Sequence, residues 1–212
     1  MTKKSNSLLA AIACLLAFNV HAVSFTNTPN AAIPDANPTG LTSTIEVTNL
    51  SGLIEGVTVT LDITNGFNGD LYAYIQHGTN GFAVLLNRVG RMIGDPLGYA
   101  DPGFLVTFVD SALNDIHNYG GNGGAPLTGT WSPDGRDVDP LTALNTDPRT
   151  ALLSSFANDS ANGTWTIFVA DFTSGHQSVL REWSLDIIVP EPSTGALAAC
   201  GILAWLIRPR VR

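Results

Sequence analysis

A strict alternation of apolar and polar residues between Val57 and Ile63 is the feature that most restricts the fold. Its aliphatic side chains all fall on one face and its Thr and Asp side chains on the other, as in a half-buried β-strand. Only residues 149–156 suggest a helix, of two turns. The sequence predicts an all-β protein, an antiparallel β-sandwich or jelly roll of about eight strands. Further strands are predicted between Gly-, Asn-, Asp- and Pro-rich loops at 45–47, 71–75, 82–86, 104–109, 165–169 and 183–187.

Charge is distributed unevenly along the chain. Both lysines lie at positions 3 and 4, and three arginines lie within the last five residues. The segment 23–189 has five arginines, no lysine and 17 acidic residues, a net charge of −12. Nucleic acids and anionic membrane surfaces are bound through clustered Lys and Arg, so neither is expected as a partner. The segment is long enough for one domain with a sizeable core.

The N-terminal residues have the pattern of a secretory signal peptide. Lys3 and Lys4 precede an apolar run at 8–18, which is shorter than the roughly 20 residues that span a bilayer. Residues 1–22 are predicted to be removed by signal peptidase after Ala22, and residues 23–32 to form a linker. Because the only cysteines lie in the two end segments, at 14 and 200, the exported domain is expected to have no disulfide.

The C-terminal residues 189–212 combine Pro190, Glu191 and Pro192 with an apolar stretch at 195–207 and an arginine-rich tail. A short transmembrane helix with a basic tail would stop in the inner membrane with its charges in the cytoplasm. The arrangement resembles the PEP-CTERM sorting signal of Gram-negative bacteria that make exopolysaccharide. The resemblance implies that an exosortase recognises the Pro-Glu-Pro motif and removes the tail, releasing the protein to the cell surface or extracellular matrix. A plain C-terminal anchor is the alternative.

Six motifs follow one another in order along residues 33–188, and the most specific are Asn-Gly-Thr-Trp at 162–165 and Trp-Ser-Leu at 183–185. The series resembles the P domain, or Homo B domain, that accompanies the catalytic domain of kexin- and furin-like proprotein convertases and many bacterial secreted proteases. The resemblance implies a non-catalytic β-sandwich associated with serine-type endopeptidases. The chain departs from the family pattern at Asn65, His176 and Ser178. The other motifs are Ile33-Pro34-Asp35, Gly69-Asp70-Leu71, Thr107-Phe108-Val109-Asp110 and the Leu-Thr-Gly-Thr-Trp-Ser-Pro run at 127–133.

The sequence offers no convincing catalytic residues. A subtilisin-type catalytic domain has no room in this length. Ser111, Asp115 and His117 lie close together, but clustering on one loop does not give the geometry of a catalytic triad. The zinc-protease and hydrolase motifs are absent, and the glycine-rich run 120–124 lacks the lysine of a phosphate loop and is expected to be a flexible connector. The chain is therefore predicted not to be an enzyme and to have no catalytic or cofactor-binding residues.

Three aspartates at strand ends suggest a calcium site. Asp70, Asp110 and Asp171 supply the oxygen ligands that calcium prefers, with Asp115 or Asp159 assisting. The alternative is that each aspartate caps a turn by accepting hydrogen bonds from nearby amides.

Two tyrosines suggest a carbohydrate site. Tyr72 and Tyr74 fall on the face opposite the aliphatic residues of their strand and are predicted as a stacking pair for sugar rings. Ordinary cross-strand packing is the alternative.

These features support three functions. The first is an exported, non-catalytic P-domain protein that acts as a binding or structural module in the cell envelope or extracellular polysaccharide matrix. The second is an accessory domain for a subtilisin-like serine endopeptidase supplied by another chain. The third is a carbohydrate-binding module. The expected partners are signal peptidase and exosortase during export, and then extracellular polysaccharide or a secreted protease.

Overall fold

The computed structural model describes residues 20–78 and 81–190, and they form an all-β protein as the sequence predicts. Three short 3₁₀ helices, Asn68–Asp70, Ile116–Asn118 and Leu153–Phe156, interrupt the strands. The last of them is a single turn within the two-turn helix expected at 149–156. The strands are β1 (Val20–Asn27), β2 (Ala31–Ala32), β3 (Asn37–Val47), β4 (Gly56–Thr64), β5 (Leu71–His77), β6 (Gly81–Asn87), β7 (Gly103–Phe108), β8 (Leu127–Trp131), β9 (Gly163–Asp171) and β10 (Val179–Pro190).

The strands form two sheets. The first has the order β1-β10-β4-β7-β8, with β2 also paired to β10, and all its pairs are antiparallel except β7 with β8. The second has the order β3-β9-β5-β6 and is antiparallel throughout. One continuous apolar cluster draws side chains from both sheets, so the sheets pack face to face as a sandwich.

The core follows from the period-two pattern. Val57, Val59, Leu61 and Ile63 are each at most 7% exposed, whereas the residues between them remain partly exposed. Trp183 of β10 crosses the core, and its Nε1 donates a hydrogen bond to the Ser43 hydroxyl of the opposite sheet at 2.9 Å. Satisfying the indole N–H in this way lets the ring be completely buried.

Two described strands precede residue 33, the predicted start of the domain. Residues 23–32, expected as a linker, contain most of β1 and all of β2 and belong to the first sheet. Strand β8 was not predicted either. These strands lack a strong apolar alternation because they lie at a sheet edge and keep most side chains partly or fully exposed. Main-chain pairing holds them in place, with a small number of apolar side chains such as Phe25 of β1 and Leu127 of β8 packed on the core.

The predicted processing sites adjoin one another where they are described. Ala22 lies in β1 opposite Ile188, and Pro190 ends β10 opposite Val20. Residues 1–19, and residues 191–212 with Glu191 and Pro192, lie outside the described part of the chain. Within residues 20–78 and 81–190, no helical segment reaches the length and hydrophobicity of a membrane span.

Candidate binding face

The outer face of the second sheet carries a cluster of aromatic side chains. Alternation along β5 places Leu71, Ala73 and Ile75 in the core and turns Tyr72 and Tyr74 outward. Strand β9 lies beside β5 in a register that sets Phe168 opposite Tyr74. Together with neighbouring rings from β6 and from the end of β9, these side chains form what we call the aromatic platform: Tyr72, Tyr74, Phe82, Phe168 and Phe172.

Tyr74 is the centre of the aromatic platform. Its ring lies 5.0 Å from Phe168 in a nearly parallel arrangement, 5.1 Å from Phe82 and 6.0 Å from Tyr72. Tyr72 in turn contacts Phe172 edge-on at 6.3 Å. All five rings are half-buried and retain part of their surface in solvent. The pair predicted from the sequence is therefore the middle of a larger surface, and its role in binding sugar remains a prediction.

The Tyr72 hydroxyl is a hydrogen-bond donor at neutral pH. Burial raises the pKa of Tyr72 to about 12, and the nearby Asp137 carboxylate adds to the shift. The phenol therefore stays protonated, and the platform combines partly exposed aromatic rings with a polar donor.

A polar groove of about 600 Å³ continues the same face. Gln76 and Thr166, which pair across β5 and β9, are the next outward residues after Tyr74 and Phe168. The platform and the groove thus form one strip along the strands. The groove is lined by Gln76, His77, Gly78, Asp159, Ser160, Asn162, Gly163, Thr164 and Thr166.

Hydrogen bonds fix the floor of the groove. The Asn162 side chain exchanges two bonds with the Leu50 backbone, at 2.9 and 2.7 Å. The His77 ring stacks on Trp165 at 4.2 Å, and its two nitrogens face the carbonyl oxygens of Ser160 and Thr164. These side chains are held rigidly by the sandwich and cannot turn freely toward solvent.

One carboxylate of the groove is unpaired. Among the described residues, the Asp159 side chain has no hydrogen bond and no ion pair, although its backbone is fixed by a bond from the Ile54 amide at 2.9 Å. The Glu46 carboxylate, on the neighbouring strand, accepts a bond from the Thr164 hydroxyl at 2.7 Å. The polar end of the face is therefore acidic.

The predicted calcium ligands do not all converge. Asp70 and Asp171 lie at adjoining strand ends, but Asp110 binds the amides of Leu153 and Ser154 at 3.0 and 2.7 Å and caps their 3₁₀ helix. Asn68, two residues before Asp70, donates a hydrogen bond to Gly103 at the start of β7, whereas Asp110 lies just after the end of β7. A strand of this length spans roughly 20 Å, so Asp110 lies far from Asp70. The turn-capping alternative is the one that describes Asp110.

The other proposed helpers are also elsewhere. Asp115 forms an ion pair with Arg136 at 2.8 Å, and Asp159 lies in the groove. Within residues 20–78 and 81–190, no group of three His, Cys, Asp or Glu side chains is arranged to hold a metal ion. Calcium binding by Asp70 and Asp171 stays a prediction.

Asp171 is a buried carboxylate with one unsatisfied atom. It is completely buried, its Oδ1 accepts a bond from the Thr173 amide, and its Oδ2 has no partner among the described residues. Burial raises the pKa of Asp171 to about 6, and the charges of Asp70 and Asp35 add to the shift. Burial likewise raises the pKa of Asp70, while Arg88, 3.9 Å away, acts in the opposite direction.

Two of the residues that could suggest a catalytic triad, Asp115 and His117, are engaged in structural hydrogen bonds. The His117 ring is completely buried, with Nδ1 2.7 Å from Asp134 and Nε2 2.9 Å from the carbonyl oxygen of Arg91. Asp115 binds the His117 backbone amide rather than its ring. Because both ring nitrogens are occupied, the ring is not placed to take a proton from Ser111 or from a substrate.

Asp101 is a structural residue that the sequence did not reveal. Its carboxylate accepts bonds from the amides of Asn122 and Gly124, at 2.6 and 2.7 Å, and from the Tyr119 hydroxyl at 2.9 Å. The glycine-rich run 120–124 is thus folded around an internal anion. No sequence signal links Asp101 to a loop some 20 residues later.

The most specific sequence motifs lie in the core. Trp165 and Trp183, from the Asn-Gly-Thr-Trp and Trp-Ser-Leu motifs, are both completely buried. The Trp165 indole donates to the Ala161 carbonyl at 3.0 Å. These residues specify how the two sheets pack, but they do not determine which side chains lie on the surface.

The described residues form an all-β sandwich whose second sheet carries the aromatic platform on its outer face. No family model matches the chain, and no curated protein matches it. Among solved structures, the serine protease of Aeromonas sobria in complex with a chaperone is similar at 16% identity over 82% of this chain, with a TM-score of 0.48. The same protease without the chaperone gives 16% identity over 81%, with a TM-score of 0.46. This chain spans 27% of the length of each of those chains.

Proposed function

We propose that this protein is an exported, non-catalytic module that binds polysaccharide on the outer face of its second sheet. The observation that carries the proposal is the continuity of the aromatic platform with the polar groove. A sugar ring has apolar C–H faces and a rim of hydroxyl groups, so it needs aromatic faces and hydrogen-bonding groups side by side. This strip supplies both.

The dimensions of the strip favour an extended chain. From Thr164 of β9 to Phe172, the residue that follows the strand, the strip covers eight residue steps, or roughly 26 Å. The side chains lie along the strand, and the groove is open to solvent, so several successive sugar units can be in contact at once. The rings of the platform are already packed against one another, so their side chains lose little entropy on binding.

The remaining parts of the proposal rest on the sequence. The predicted signal peptide and PEP-CTERM-like tail support export and exosortase sorting to the cell surface or extracellular matrix of a Gram-negative bacterium. A lysine-free, acidic domain suits that setting, since it has no surface for nucleic acid. The P-domain resemblance supports a non-catalytic role.

The proposal is tested by affinity electrophoresis in gels that contain the exopolysaccharide of the producing cells. The full chain, purified as it is exported, should be retarded, and Tyr74→Ala should lose most of that retardation because it removes the central ring. Leu105→Ala is the matched control, since Leu105 is 54% exposed on the first sheet and far from the strip. Equal retardation of wild type and Tyr74→Ala would contradict the proposal.

The accessory-domain role is a second candidate, favoured by the ordered P-domain motifs in residues 33–188. Those motifs include the buried Trp165 and Trp183, so they bear on the fold more than on a protease contact. The candidate is supported if a subtilisin-like protease copurifies with the tagged chain from its host. The protease should no longer copurify when the tagged chain is denatured beforehand. Absence of any protease would remove it.

A further inference from the structure

We infer that the polysaccharide bound by this face is a hexosamine polymer with free amino groups. The inference rests on the proposed function and names the chemical class of its ligand. It follows from the placement of charge on the molecule.

Four of the five arginines of the described domain are engaged in ion pairs or hydrogen bonds to loop carbonyls. Arg88 and Arg136 are buried and form ion pairs with Asp70 and with Asp134 and Asp115. The Arg91 guanidinium donates to the carbonyls of Pro96, Pro140 and Ala143. Arg149 donates to Ser132 and to the carbonyls of Pro133 and Asp134. These four side chains tie loops together.

Arg181 is the remaining arginine of segment 23–189. Its side chain is 57% exposed, but it lies on β10 in the first sheet and pairs with Asp62 at 3.8 Å. Neither lysine nor arginine lines the groove in the described part of the chain. A uronic-acid polymer would therefore meet no cation on this face, and the net charge of −12 would repel it.

A positively charged sugar would instead meet negative charge on this face. The unpaired Asp159 carboxylate lies in the groove beside the platform, on a backbone fixed by the Ile54 amide, and Glu46 adds a second negative charge at the same end. An ammonium group on a sugar stacked along the strip can pair with Asp159 without displacing an existing partner. The same sugar rings retain the apolar faces that the platform requires.

The test compares three soluble hexamers by isothermal titration: glucosamine, N-acetylglucosamine and mannuronic acid. The full chain as exported is used, at a pH where the amines are charged. We expect the glucosamine hexamer to bind roughly five- to tenfold more tightly than its acetylated form, the range of one partly exposed ion pair. The mannuronic acid hexamer should not bind measurably.

Two variants separate a local ion pair from general charge attraction. Asp159→Asn should reduce the preference for free amines to less than about twofold, because it removes the ammonium partner while keeping a similar shape. Glu182→Gln makes the same change in charge at an exposed position on the first sheet and should keep the preference. Thermal unfolding of each variant confirms that it is folded.

The outcomes distinguish this inference from the proposed function. Equal affinity for the two glucosamine forms, binding of mannuronic acid, or equal losses in Asp159→Asn and Glu182→Gln would overturn the amino-sugar inference and leave polysaccharide binding in place. Failure to bind any hexamer, together with no retardation by the native exopolysaccharide, would overturn both.

Discussion

At the scale of single residues, the described structure contains a few polar side chains that are buried at strand ends. Asp171 is the clearest, with a fully buried carboxylate and an unpartnered Oδ2. Asp101 is the opposite case, because its oxygens are satisfied by loop amides and a phenol. Burying a charge without a full set of partners costs stability, whereas a satisfied carboxylate organises its neighbours.

The first prediction concerns the pH dependence of stability. The pKa of Asp171 is about 6 in the folded protein, above the ordinary value of 3.8. The folded state therefore binds the proton of Asp171 more tightly than the unfolded state does. Protonation stabilises the fold fully below pH 3.8, and this stabilisation is lost as the pH rises through about 6. Asp171→Asn should be more stable than wild type at neutral pH by about 1–3 kcal/mol, and the difference should vanish in acid.

Urea unfolding across this pH range measures the effect. Glu182→Gln serves as the control, because it removes one exposed carboxylate and should parallel wild type at every pH. A constant difference between Asp171→Asn and wild type, independent of pH, would contradict the assignment.

The same variant tests the calcium prediction. If Asp70 and Asp171 bind calcium, EDTA should lower the Tm of wild type, because an ion that binds only the folded state raises its stability. EDTA should leave the Tm of Asp171→Asn unchanged. An unchanged wild-type Tm excludes the ion.

The second residue-scale prediction concerns Asp101. Asp101→Ala should release the glycine-rich loop and speed the hydrogen exchange of the Asn122 and Gly124 amides by at least about tenfold, because each loses an acceptor. Core amides such as that of Ile167 should exchange at unchanged rates. Unchanged exchange in the loop would show that the glycine run keeps its shape without the carboxylate.

At the scale of strands and loops, alternation predicted the sandwich and the outward position of Tyr72 and Tyr74. It did not predict β1 or β8, which pair at a sheet edge and keep most of their side chains partly or fully exposed. Nor did it show that Phe168 would join Tyr74, since the two lie far apart in sequence and meet only because β9 pairs with β5. Local patterns indicate which way a side chain points, and topology decides its neighbours.

The prediction at this scale is that β1 stabilises the domain. Phe25 is a half-buried residue of β1 that packs against the core. Phe25→Ala should reduce the free energy of unfolding by about 1–3 kcal/mol, less than a fully buried ring would lose. Leu113, 99% exposed, provides the control, and Leu113→Ala should change stability little. Equal stability of Phe25→Ala and wild type would mean that β1 does not contribute to the stability of the domain through this side chain.

At the scale of the whole molecule, the basic residues of the two chain ends and the aromatic platform lie in different parts of the chain. Five of the ten basic residues, including both lysines, lie in the two predicted targeting segments. The segment 23–189 carries an excess of acid, and four of its five arginines are engaged in ion pairs or loop hydrogen bonds. The first and last described strands, β1 and β10, belong to the first sheet, while the aromatic platform lies on the second sheet.

The central claim is that polysaccharide binds on the outer face of the second sheet. Side-chain NMR of the aromatic ¹H–¹³C signals, recorded while the exopolysaccharide of the producing cells is added, tests it most directly. The account predicts that Tyr72, Tyr74, Phe82, Phe168 and Phe172 shift together, while the buried Phe104 and Phe108 do not. Binding without shifts in the platform, or shifts confined to the first sheet, would contradict it.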